Sequence, residues 1–378
     1  MEQTLPGEEN SLIEEDEAQK KGLPDAWIAS KDGWALLIES KVASRINPEQ
    51  LKRHLRIGER RGFESCQVLA LTTSGRKLTH LPRVIDKSWS EVYAWGLAQA
   101  KSSYWAKQFT GYFEVAEAKM VRDEYLKAGT LTRFAGIPFG DHHPYTYLEA
   151  KRILGLFMQE LRKSRVLKRL GIDASLRGRG AIKGQAELRV WDFLRFKASR
   201  NAKLFTDYPH FTVSLGSDSV IAIVTLPHRV KWEIRKRILG RGFEDFRGLV
   251  KQVAKGMRQV VALEPSAKPM MELLQRRYPI QSQPPIKDAE LRFDLRTAIK
   301  RTDDDHIKHQ PQWLAVCYEI LKRKNSNLQL ALGVEIHFNN SKLLASDKAV
   351  MLFEQAFLAL RPFIEVALGR YSSAKQQA

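Results

Sequence analysis

Cysteine is nearly absent: Cys66 and Cys317 are the only two in 378 residues. Two thiols so far apart form no disulfide framework, and no Cys/His spacing suits zinc. They read as buried thiols in a reducing cytosol. No apolar run is long enough to span a bilayer. The N-terminus lacks the basic flank and apolar core of a signal peptide. A cytoplasmic protein with no membrane partner is therefore expected. Acidic residues are also outnumbered, 43 Asp and Glu against 62 Lys and Arg, a net charge of +19. Several acids crowd near the N-terminus (Glu8, Glu9, Glu14, Glu15, Asp16, Glu17), so the remainder is more basic still. Such an excess favours a polyanionic partner; a merely solvated basic surface is the plainer alternative.

The length accommodates two domains. Ser11 and Glu14 form a capping-box pattern for a short helix over 12–21. Leu23 to Val42 holds two short apolar runs around Ser30-Lys31-Asp32-Gly33, a hairpin turn signal. In the second run, alternation sets Glu39 and Lys41 on the face shared by Ala35 and Leu37. Asp25 opens the first run near the same edge. Two carboxylates and a lysine at one end of a sheet suit magnesium-dependent phosphodiester hydrolysis: carboxylates hold a hard cation that keeps several waters, and a lysine steadies the phosphate or the water. The plainer alternative is two charges at a strand end, but charge inside an apolar strand is costly. A helix follows over 46–61, with Pro48 in its first turn and Gly62 beyond its end. A buried strand follows over 66–73.

Pro24-Asp25, then Glu39-Ser40-Lys41 after a hairpin, then a helix carrying Gln50-Leu51-x-x-His54, together resemble the PD-(D/E)XK, restriction-endonuclease-like, nuclease superfamily. The resemblance covers about the first third of the chain, in the branch with a glutamine on the following helix. It implies that Asp25, Glu39 and the Ser40 carbonyl hold Mg2+ or Mn2+, with Glu14 supplementing them, that Lys41 positions water and that Gln50 supports it. It also implies DNA as the substrate, with RNA still open, and a place in prokaryotic restriction, anti-phage defence or repair.

Farther along, Trp89, Val92, Tyr93 and Leu97 recur at helical spacing and read as core rather than as a base-stacking platform. Residues 1–126 are expected to form the nuclease-like domain, 127–146 a linker, and 147–378 a basic second domain. The linker contains Asp141-His142-His143, read as loop. The glycine-rich stretch 176–184 carries Arg177, Arg179 and Lys183 and lacks a nucleotide-binding Gly-Lys-Ser/Thr; a phosphate-contact role and an ordinary loop are weighted equally. Arg229 to Arg241 adds Arg235, Lys236 and Arg237 to the expected nucleic-acid surface. A hairpin is expected over 211–226, a long helix from Phe243, strands over 290–299 and 328–338, and a last helix over 346–368. Asp303-Asp304-Asp305-His306 reads as a polar turn. The expected fold is thus α/β (α+β): a mixed sheet flanked by helices, then a mostly antiparallel second sheet. The functional expectation is a metal-dependent nuclease. The alternatives are a non-catalytic nucleic-acid-binding subunit and a scaffold, with protein partners or self-association open in each case.

Overall fold

The computed structural model describes residues 23–73, 81–123, 125–126, 129–137, 147–176, 178, 182–183, 189–277, 286–298, 309–324, 327–338 and 341–370. The chain divides into two compact units, Met1–Arg133 and Phe134–Ala378. Each holds its own sheet, so the fold is mixed α/β.

In the first unit the sheet order is β1 (Ala26–Ala29), β2 (Trp34–Lys41), β3 (Ser65–Thr72) and β4 (Val84–Ser88). β1 pairs antiparallel with β2, while β2, β3 and β4 run parallel. The hairpin closes where the Ser30 N–H donates to the Trp34 carbonyl at 2.9 Å. Gly33 takes φ +75° there, a conformation costly for other residues. Parallel β2 and β3 require a crossover, and α1 (Pro48–Arg60) supplies it. Asn47 caps α1 by accepting from the Glu49 N–H, and Pro48 occupies the first turn. Leu51, Leu55 and Ile57 lie against Ala35, Leu37, Cys66 and Val68. Gly58 permits this close approach, because a Cβ there would run into Cys66 Sγ.

α2 (Trp89–Gln99) and α3 (Tyr104–Arg122) complete the unit. Tyr93, Phe113 and Leu131 form a small core with Trp89 and Phe109 packed against it. The expectation for this stretch holds for Tyr93 but not for Leu97, which is exposed. Residues 129–133 belong to this unit: the Thr130 hydroxyl donates to Glu117, as does the Thr132 N–H. Phe134 and Ile137 already enter the second core. The described residues 129–137 of the expected linker thus divide between the two units at Arg133/Phe134.

The second unit has a seven-stranded antiparallel sheet, in the order β10 (Ile286–Asp294), β9 (Ala267–Arg277), β11 (Leu328–His337), β8 (Ser219–Leu226), β7 (His210–Leu215), β6 (Val190–Arg195) and the two-residue β5 (Ile182–Lys183). One face buries Val213, Val220, Ala222, Leu332 and Val334 with the helices. Those helices are α4 (Tyr147–Lys163), α5 (Arg165–Arg169), α6 (Trp232–Leu239), α7 (Phe243–Leu263), α8 (Leu295–Ala298), α9 (Gln312–Leu321), α10 (Ala349–Ala359) and α11 (Arg361–Ala367). Two expectations need correction. The strand expected over 290–299 starts at Ile286 and gives way to α8 after Asp294. The single last helix is two: one ends at Ala359 and the next starts at Arg361, where Pro362 in the first turn has no N–H to continue the ladder.

Candidate active site

The site grows from the β2 alternation. Ala35, Leu37 and Glu39 are fully buried on the face beneath α1, while Leu36, Ile38 and Ser40 are half-buried on the other. α1 presents Leu51 and Leu55 to that face, and the same helical side carries Gln50 and His54, four residues apart. Both reach Glu39. Gln50 Nε2 donates to Glu39 Oε1 at 2.8 Å. His54 Nε2 lies 2.9 Å from Glu39 Oε2, and both residues are inaccessible to solvent. Lys41, two residues on along the strand and partly exposed, pairs its ammonium with Glu39 Oε1.

Asp25 sits at the mouth of the same sheet end. Ala26 pairs with Ile38 across the β1–β2 ladder, so Asp25 falls beside Glu39 and Ser40. Its Oδ2 accepts from the Ser40 N–H at 2.7 Å and from the Ser40 hydroxyl at 3.1 Å. The outer carboxylate is therefore fastened to the residue between Glu39 and Lys41.

Burial pushes the Glu39 carboxyl up, but the hydrogen bonds from His54 and Lys41 and the charge of the Lys41 ammonium outweigh it. The carboxyl titrates below its ordinary value and stays ionised at neutral pH. Among the described residues His54 Nδ1 is buried without a hydrogen-bond partner. Donation from Nε2 to Glu39 therefore fits the tautomer that leaves Nδ1 unprotonated.

Asp25 and Glu39 supply oxygen, the donor that Mg2+ and Mn2+ prefer. Among the described residues no three His, Cys, Asp or Glu side chains gather as a metal cage. Magnesium is commonly held by one or two carboxylates plus waters and substrate phosphates, so the donor set fits it. No family model matches the chain, and no curated protein matches it.

Asp25, Glu39, Ser40, Lys41 and Gln50 thus come together at one sheet end. His54 joins them as the residue to which the sequence reading gave no role, although its spacing from Gln50 signalled a shared helix face. Glu14, Arg177 and Arg179 lie outside the described residues, as do Asp141–His143 and Asp303–His306. Lys183 is placed on β5 by its backbone. In α6, Lys236 and Arg237 are exposed, and Arg237 Nη1 donates to the Ala367 carbonyl at 2.8 Å. Arg235 departs from expectation: it is buried, and its guanidinium donates to the Arg323 and Leu328 carbonyls. It ties α6 to the start of β11 instead of facing a polyanion.

Proposed function

We propose that the protein is a metal-dependent nuclease that hydrolyses phosphodiester bonds in DNA, with its active site in the first unit. The observation that carries this is Glu39: a buried, ionised carboxylate in a sheet, held by Lys41, Gln50 and His54, with Asp25 fastened to Ser40 alongside. A bare structural role explains such a charge poorly, because well-packed apolar residues commonly replace buried ion pairs without loss of stability.

In this role Asp25 and Glu39 would hold the ion, with the Ser40 carbonyl as a further oxygen. A bound Mg2+ or Mn2+ supplies acidification of a water and neutralisation of phosphate charge. Gln50 and His54 hold the Glu39 side chain in one orientation and keep it ionised. Lys41, partly exposed, exchanges its Glu39 contact for the phosphate oxygens or the attacking water, adding positive charge where negative charge develops. The net +19 draws the polyanion in.

The second reading, a non-catalytic nucleic-acid-binding subunit, is favoured by one feature: both Glu39 oxygens are already hydrogen-bonded by protein groups. Plasmid incubation with Mg2+ or Mn2+ separates the two. Asp25→Ala and Glu39→Ala should each abolish cutting and weaken metal affinity in calorimetry, while Lys41→Ala should lower cutting with metal affinity retained. Equal cutting by all three variants would remove the active site from this sheet end. A wild type that binds DNA but never cuts would establish the binding subunit.

A further inference from the structure

α3 carries more aromatic surface than its core uses. Phe109 and Phe113 face inward with their centroids 4.4 Å apart, and Trp89 packs on Phe113 at 5.2 Å. On the opposite side of α3, Tyr104, Trp105 and Tyr112 are 67%, 78% and 69% exposed. Trp105, Gln108, Tyr112, Val115 and Lys119 follow one another at helical spacing, a continuous stripe along the outer face. Tyr112 stands edge-on to Phe113 at 6.2 Å, and Trp105 edge-on to Tyr104 at 5.4 Å, so these rings are braced by neighbours. Large exposed apolar patches mark interaction sites.

The charges around the stripe are sorted. Glu117 is buried and engaged by Thr130 and Thr132. Glu114 accepts from the Tyr93 hydroxyl at 2.6 Å. Lys101, Lys107 and Lys119 are exposed, and none has an ion-pair partner among the described residues. The helix therefore engages its acids with the Tyr93 and Thr130–Thr132 groups and leaves its lysines beside the aromatic rings. Rings flanked by lysines with no ion-pair partner among the described residues match an unstacked nucleic acid strand: bases stack on the rings and the lysines follow the phosphates. A second copy of the chain suits the face less, since each copy carries +19 and the lysines would meet like charge.

We propose that the outer face of α3 binds single-stranded DNA, through base stacking on Trp105 and Tyr112 and phosphate contacts from Lys107 and Lys119. This deepens the nuclease reading, on which it rests only for the fate of the bound strand, by naming the form of DNA engaged.

The test is binding without cutting, in EDTA, by fluorescence anisotropy and tryptophan quenching. Probes are a short labelled oligodeoxythymidylate and a duplex of equal length. Wild type should bind the single strand more tightly than the duplex and show quenching. Trp105→Ala combined with Tyr112→Ala should weaken single-strand binding by about tenfold or more, leave duplex binding unchanged and keep the salt slope. Trp105→Phe should retain most of the affinity because it keeps a ring. Lys107→Ala with Lys119→Ala should flatten the salt slope by about 1.4. Circular dichroism matching the wild type shows that each variant is folded; these side chains lie outside the core. Equal affinity for both probes without quenching overturns the proposal. So does a double aromatic variant that binds normally, or one whose only change is lost self-association in sedimentation. The experiment needs no metal, so the outcome stands apart from that of the Asp25 and Glu39 variants.

Discussion

Glu39→Gln probes the centre of the site with almost no change of shape. The wild-type carboxylate accepts from three directions: Gln50 and Lys41 at Oε1, His54 at Oε2. An amide keeps one acceptor and replaces the other with a donor. If its oxygen serves Gln50 and Lys41, its NH2 meets His54 Nε2, which must then accept. That tautomer places the proton on Nδ1, which is buried and has no partner among the described residues. If the oxygen serves His54, the NH2 meets the Lys41 ammonium, donor against donor. One buried group is left unsatisfied either way, at about 1–3 kcal/mol. Lys41 is partly exposed and recovers hydration, which keeps the loss nearer about 2 kcal/mol than the higher cost of stranding a fully buried charge. With a urea dependence of about 2 kcal/mol/M, the unfolding midpoint should fall by about 1 M. Tryptophan fluorescence suits the assay, since Trp27, Trp34, Trp89, Trp95 and Trp105 all lie in the first unit. The pH dependence adds a second criterion. The folded Glu39 titrates below its ordinary 4.5, so its contribution is complete above that value and is lost as pH falls through the folded pKa. The gap between wild type and variant should therefore be constant at neutral pH and close only in acid below 4.5. A variant as stable as wild type at pH 7, or a gap that closes near pH 6, would refute the network as described.

Arg235→Met should destabilise the second unit by about 2 kcal/mol, because the Arg323 and Leu328 carbonyls lose their donors; urea unfolding reads the loss, and the salt slope of DNA binding should not move. His210 is buried, which depresses its pKa to about 4 from an ordinary 6.5. The unfolded chain therefore takes up a proton that the folded one refuses, and stability should fall from pH 6.5 down to pH 4 by up to about 3 kcal/mol; His210→Phe should remove that component from the pH profile of the urea midpoint.

The first unit was the more legible in sequence. Strand alternation, a two-sided turn signal and a capped crossover helix agree with one another between Pro24 and Thr72, and each is a local pattern with one dominant period. The second unit was legible where periodicity was strong, as in β7, β8 and α7, and poorer at boundaries. The turn from β10 into α8 at Asp294 has no proline or glycine to announce it. The break at Leu360 had its marker in Pro362, but the apolar pattern on either side reads as one helix because both halves bury the same kind of residue in the core. Arg235 and Leu97 failed for a shared reason. A basic segment assigns an arginine to the surface and helical spacing assigns a leucine to the core, whereas tertiary neighbours decide both: Arg235 turns inward to the Arg323 and Leu328 carbonyls, and α3 covers Tyr93 and Gly96 but leaves Leu97 exposed.

The site itself was readable as spacing but not as a network. The alternation that buries Ala35 and Leu37 dictates that Glu39 is buried too, so a carboxylate at that register requires donors from whatever covers the sheet. Helix geometry limits the suppliers. With Leu51 and Leu55 packed on the sheet, the positions sharing their side of α1 toward its N-terminal end are Gln50 and His54, and both are donors. The charged residues Lys52 and Arg56 turn elsewhere on the same helix: Lys52 pairs with Glu49 and Arg56 stays exposed. His54 stood in the sequence only as part of the Gln50-Leu51-x-x-His54 pattern, without a role of its own. Its importance follows only when the β2 register and the α1 face are considered together, since the residue it must satisfy lies fifteen positions earlier in the chain.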